Sequence, residues 1–268
     1  ANPQGNTSLT LLRPLNLVEI SQAYGILANQ GILAGHISLA NMAGGDGASA
    51  PERGPAPIQP AMILRVEDAS GKIWLDRSTW QTRPIITPEL AYLVTHVLSD
   101  EAARWPSLGH PNPLEIGRPA AAKISRAFTE DQFWVIGYTP QRLVGVWLGL
   151  DPAAEPLPAA AEAPRLLQTA SAGLWHALMQ YASQNLPYQP WPTPAGISTL
   201  EVCDPSGDLP SADCPATVTE IFLTGNEPVQ VDHMYQRLEI NRETGLLATV
   251  FTPADLIQSE TFLLTPPE

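Results

Sequence analysis

Lysine is nearly absent from this chain: Lys72 and Lys123 are the only two in 268 residues. Basic residues number 14 against 27 acidic ones, a formal net charge of -13 with no basic run anywhere. That balance excludes a nucleic-acid or anionic-membrane surface, so neither partner is expected. No apolar run approaches the roughly 18 residues of a membrane helix, and no signal peptide is visible, so no membrane segment is expected within the chain. Cysteine is scarce as well. Cys203 and Cys214 have no nearby histidine and make half a zinc ligand set. The five histidines, His36, His96, His110, His176 and His233, are dispersed without metal spacing, so neither metal nor cofactor is expected. No Gly-x-Ser-x-Gly occurs. The first residue is Ala1 rather than methionine, which reads as a processed product or a piece of something longer.

What the chain does have is centred on Gly117 to Asp151, GRPAAAKISRAFTEDQFWVIGYTPQRLVGVWLGLD. Ala120 to Ile124, Phe133 to Tyr138 and Leu143 to Leu150 read as adjacent strands, because aromatic and β-branched residues crowd them. Thr139-Pro140-Gln141-Arg142 has turn chemistry, so the last two strands form a hairpin.

This pattern resembles the third active-site motif of the penicillin-binding proteins, the serine D,D-transpeptidases, in which a Lys-Thr-Gly strand precedes strands reading like WFVGYTP and VVGVWVG. The resemblance implies that Lys123 is the motif lysine and that Ile124, Ser125 and Arg126 stand at substrate-binding positions, with Lys123-Ile124-Ser125 replacing Lys-Thr-Gly. In the family the threonine hydroxyl binds the substrate carboxylate, and glycine leaves room for a peptide along the strand. Ile124 offers no hydroxyl, and Ser125 adds a side chain. The family nucleophile sits in Ser-x-x-Lys, one helical face. Here the residues three before Lys72 and Lys123 are Ala69 and Ala120, so that motif is missing. Ser183-Gln184-Asn185 matches Ser-x-Asn, but it follows the lysine strand and is read as chance.

Three further stretches carry the likeness. Asn16 to Asn29 reads as a helix with Asn16 as cap, in a segment similar to LTLGxxEVTPLEMAxAYAxFANGG of the class A proteins. Met62 to Val66 and Lys72 to Leu75 read as a hairpin. Thr87-Pro88-Glu89 starts a helix like the family's SPxxAYLMTDML. Gly44 to Pro60 reads as a loop, as do Trp105 to Arg118 and the connector DPAAEPLPAAAEAP. A long helix is expected from Arg165 to Gln184, with Leu166, Leu167, Ala170, Leu174, Ala177, Leu178 and Tyr181 on the face that covers the three-stranded sheet.

The expected class is α+β: residues 1–188 form the C-terminal part of a β-lactamase-like transpeptidase domain, and residues 189–268 a small β-rich module. Strands are expected at Ile197 to Val202, Val218 to Leu223, Tyr235 to Asn241 and Leu246 to Phe251. Cys203 and Cys214 close CDPSGDLPSADC; a disulfide is expected there, two free thiols in a reducing compartment being the alternative. The phrase VCDPSGDLPSADCP with TEIFLTGNEPVQVD is similar to the C-terminal extension of some class A proteins. The resemblance implies part of a peptidoglycan D,D-transpeptidase, inactive alone, in a cell-envelope, extracytoplasmic protein whose parent is membrane-anchored. A peptidoglycan stem peptide or β-lactam is expected as partner only with an upstream half present. The alternative is a non-catalytic, wall-associated module.

Overall fold

Helix α1 (Leu17–Ala28) begins where Asn16 and Glu19 cap each other: the Asn16 side chain accepts from the Glu19 amide at 2.9 Å, and a Glu19 carboxylate oxygen accepts from the Asn16 amide at 3.0 Å. The computed structural model describes residues 15–37, 58–126, 132–150 and 163–264. Its contacts divide the chain into two units, Ala1–Pro192 and Thr193–Glu268.

In the first unit, β1 (Ile32–Ile37) pairs antiparallel with β2 (Ile58–Gln59). Strands β3 (Arg65–Glu67) and β4 (Ile73–Asp76) make the expected hairpin. Asp68 organises its turn, accepting from the amides of Ser70 and Lys72, the Ser70 hydroxyl and the Trp74 indole. β5 (Gln81–Pro84) then pairs with β1 along its other edge. Residues 44–57 of the stretch read as a loop lie outside the described residues, and its end, Ile58–Gln59, is β2.

Helix α2 (Pro88–Ser99) starts as its sequence suggests, with Thr87 accepting from the Leu90 amide and proline in the first turn. The region read as a loop from Trp105 opens instead with a short helix, α3 (Trp105–Leu108), because Pro106 fits a first helical turn. Strands β6 (Ala121–Arg126), β7 (Gln132–Tyr138) and β8 (Leu143–Gly149) form an antiparallel sheet in that order. Helix α4 (Ala163–Ser183) covers one face; residues 151–162 of the connector before it lie outside the described residues.

Period-two alternation assigns the faces. Ala122, Ile124, Val135, Val144, Val146 and Leu148 pack with Trp175 and Met179 of α4, the latter two fully buried. Burying a side chain such as Val135 or Met179 contributes roughly 1.5–3 kcal/mol each. The Trp175 indole also donates to the Val144 carbonyl at 3.1 Å, which fixes the helix on the sheet. On the opposite face α1 reaches β8 at Gly145, where a Cβ would stand 2.6 Å from Ser21 Oγ.

In the second unit, β9 (Ile197–Cys203) and β10 (Thr217–Leu223) pair antiparallel over their full length. Cys203 and Cys214 are joined in a disulfide with Cα atoms 6.0 Å apart. A second ribbon pairs β11 (Tyr235–Asn241) with β12 (Ile257–Leu263). The strand expected at Leu246 to Phe251 is a correction. Gly245 turns the chain at φ 68°, Thr249 and Thr252 close another turn, and Val250 and Phe251 stand 93% and 90% exposed. Only Leu247 pairs, in an isolated antiparallel bridge to Ile240, and the rest of that apolar stretch is turn, whereas the polar sequence Gln258-Ser259-Glu260-Thr261 is inside the strand that pairs with β11.

Candidate functional site: the lysine strand

Strand β6 is an edge strand of its sheet, and its register sets what surrounds Lys123. Lys123 lies opposite Ile136, and Ile136 opposite Gly145; one step along, Ser125 lies opposite Trp134, and Trp134 opposite Trp147. These two rows share the face of the sheet that α4 does not cover. Lys123 and Ser125 are both exposed. Ala121, on the same face, is fully buried, and it pairs with Tyr138, whose hydroxyl meets the Thr95 hydroxyl of α2 at 2.9 Å. Helices α1 and α2 thus cover the Ala121 and Tyr138 end, leaving the Lys123 and Ser125 end open.

Ile124 points the other way. It packs against the buried cluster beneath α4 and carries an apolar side chain into the row Ile124, Val135, Val146. Ser125 Oγ donates to the neighbouring Arg126 carbonyl at 3.4 Å, and Arg126 is exposed at the strand end. Beside them a hollow of about 350 Å³ is lined by Ile124, Ser125, Arg126, Phe133 and the start of α4. Among the described residues no carboxylate pairs with Lys123 and no cluster of histidine, cysteine or acidic side chains has metal-holding geometry. The arrangement can present a cation and a hydroxyl side by side, and can accept a strand along its open edge.

The segment leading into β6 is fixed by Glu115. Its carboxylate accepts from Asn112 Nδ2 and from the Trp105 indole at 3.2 Å, and pairs with His110 Nδ1 at 3.1 Å. Desolvation pushes this carboxyl up, but the bonds and charge from His110, Asn112 and Trp105 together hold it below its usual range. Sequence reasoning missed this constellation because its members are spread over eleven residues of a loop. The expected adjacency of these strands brings Trp134 opposite Trp147, ring centroids 6.1 Å apart, beside Ser125. A larger concavity of about 1030 Å³ lies between α1, β1 and the β7–β8 turn, and neither Lys123 nor Ser125 lines it.

Residues 193–237 match the family model of the penicillin-binding protein 1A C-terminal domain, starting where the second unit starts. Penicillin-binding protein 1A of Clostridium botulinum (strain Langeland) is 26% identical over 257 residues, covering 92% of this chain and 27% of that protein. The chain is similar to penicillin-binding protein 1A, and residues 193–237 to its C-terminal domain. The Clostridium tetani protein of the same name is 25% identical over 219 residues, 81% of this chain and 24% of its own length. The chain therefore spans about a quarter of the length of the curated relatives it matches. The crystal structure of penicillin-binding protein 1A from Haemophilus influenzae superposes with a TM-score of 0.54 at 15% identity, over 81% of this chain and 33% of that one, which shows a shared fold. Among the described residues no helix is long and apolar enough to cross a membrane.

Proposed function

We propose that this chain is the lysine-strand portion of a peptidoglycan D,D-transpeptidase, with a C-terminal module, and that it is inactive by itself. One observation carries the reading: an exposed lysine on the open edge of a three-stranded sheet, in a chain related over nearly its whole length to penicillin-binding protein 1A. Lys123 would supply positive charge beside the reacting centre, with Ser125 and Arg126 along the same edge facing a stem peptide or β-lactam. Covalent acyl transfer needs a nucleophile activated by a neighbouring base, and that pair would come from a segment outside this sequence. The disulfide between Cys203 and Cys214 supports an extracytoplasmic, cell-envelope setting, and a membrane anchor would belong to the parent protein.

A second reading, a non-catalytic wall-associated module, is favoured by Ile124. The position that should offer a carboxylate-binding hydroxyl holds a half-buried apolar side chain packed against the cluster beneath α4. The coding sequence that precedes Ala1 separates the two. Ser-x-x-Lys followed by Ser-x-Asn there supports the transpeptidase; a start codon or an unrelated domain supports the module.

A further inference from the structure

In the second unit β9–β10 and β11–β12 are separate two-stranded sheets. A two-stranded ribbon standing alone is marginally stable in water, so each needs a hold beyond its own ladder. The connection from β9 to β10, residues 204–216, supplies one. It folds back on itself, the Cys203 amide donating to the Asp208 carbonyl at 2.8 Å, the Gly207 amide to the Cys203 carbonyl at 2.8 Å and the Asp204 amide to the Ala216 carbonyl at 3.0 Å. From that folded loop two residues reach the chain entering the other ribbon. Leu209 bridges Val231 in parallel, its amide donating to the Gln230 carbonyl at 2.9 Å and its carbonyl accepting from the Asp232 amide at 2.7 Å. Asp213 pairs with Arg237 of β11 at 3.1 Å. Asp232, buried, passes the first hold on, its carboxylate accepting from the amides of Met234 and Tyr235 at 3.3 Å and 3.2 Å, where β11 begins.

Leu209 and Asp213 both lie inside the covalent ring that Cys203 and Cys214 close, so the disulfide restricts where both can be. Cys203 is fully buried at the end of β9, whereas Cys214 is half-buried and offers the accessible sulfur. At its other end β9–β10 is fastened independently of the ring: Ser198 Oγ donates to Glu227 Oε1 at 2.6 Å, and the Thr224 amide to the Gly196 carbonyl at 2.9 Å. Opening the ring therefore removes the constraint on the loop that holds β11 and leaves the far end of β9–β10 tied.

We propose that the Cys203–Cys214 loop is a redox-sensitive joint: oxidised, it holds the β11–β12 ribbon through Leu209 and Asp213; reduced, it lets that ribbon loosen while the far end of β9–β10 stays paired. A dithiol opens it. One thiolate attacks Cys214 Sγ and breaks the S–S bond, Cys203 leaves as a thiolate and takes up a proton, and the second thiol of the reagent then displaces Cys214. Two electrons and two protons pass to the cysteine pair as the dithiol becomes a disulfide. The joint rests on contacts inside the second unit and is independent of the transpeptidase reading. Hydrogen exchange read by mass spectrometry on the 268-residue chain, without and with excess dithiothreitol, provides the test, with intact mass confirming the gain of two hydrogens. The amides of β11 and β12 should exchange at least about tenfold faster in the reduced chain, roughly the worth of the two hydrogen bonds made by Leu209. Those of Ser198 to Leu200 and Glu220 to Phe222 should keep their protection, and reoxidation should restore β11 and β12. Unchanged exchange in β11 and β12 would overturn the proposal. Equal acceleration along all of β9–β10 would make the disulfide a staple of the whole unit, and acceleration that persists after reoxidation would rule out a switch; each overturns it as well.

Discussion

Gly137 of β7 lies directly under the indole of Trp175, and a Cβ on Gly137 would overlap the ring at Cζ2 and stand 2.9 Å from the Ala121 carbonyl oxygen. The contact joins α4 to β6 and β7. Residue 137 is a glycine because α4 must descend onto the sheet, and α4 descends there because Trp175 is the largest fully buried side chain. Gly137→Ala should therefore destabilise the protein by about 1–3 kcal/mol through overpacking. Urea unfolding followed by tryptophan fluorescence measures it, as a lower midpoint with an unchanged slope. An unmoved midpoint would mean that Trp175 swings aside at no cost.

Tyr138 offers a pH test on the other face of the same strand. Burial pushes its phenol up to about 12, with the Thr95 hydrogen bond opposing that rise. The raised value belongs to the folded state, so the neutral phenol is favoured by folding. The contribution is complete below the ordinary value of about 10 and is lost as pH rises from there toward 12. Stability measured by denaturant between pH 9 and pH 12 should fall over that window, and Tyr138→Phe should flatten the fall. An equal pH slope in both proteins would contradict the assignment.

The disulfide has a direct assay. Intact mass before and after reduction should differ by two hydrogens, and reduction should cost the second unit about 2–4 kcal/mol, the range for a closed loop of this size. Identical masses would indicate free thiols.

Much of the first unit is legible in the sequence because its signals are local. Asn16 with Glu19, Thr87 with Pro88, and Thr139 to Arg142 each fix an end or a turn within four residues, and the structure places α1, α2 and the β7–β8 hairpin there. The second ribbon was misread at one strand. Exposed Val250 and Phe251 imitate a strand, while β12 is held by backbone pairing to β11 and carries little hydrophobic signal. The candidate site was legible as a spacing only. That Lys123 and Ser125 share an open face follows from alternation, but the burial of Ile124 depends on α4, and the Glu115 cluster depends on a loop with no periodicity. On α4 the helix was legible but its packing face was not: the leucine-rich side with Leu166, Leu174, Leu178 and Tyr181 reads as the one that covers the sheet, yet those four are exposed and Ala172, Trp175 and Met179 are buried instead.

In the proposed transpeptidase piece, Lys123 stands on its strand without a nucleophile from this chain. Incubation with a fluorescent penicillin, followed by denaturation and a search for retained label, tests it most directly. No covalent label is expected, because no serine stands at helical spacing from a lysine and Ile124 offers no hydroxyl to a carboxylate. Lys123 and Ser125 do share one face of β6, so a rearranged site would use that pair. Stoichiometric label that survives denaturation and disappears in Ser125→Ala would contradict the account and make this chain an acylating enzyme in its own right.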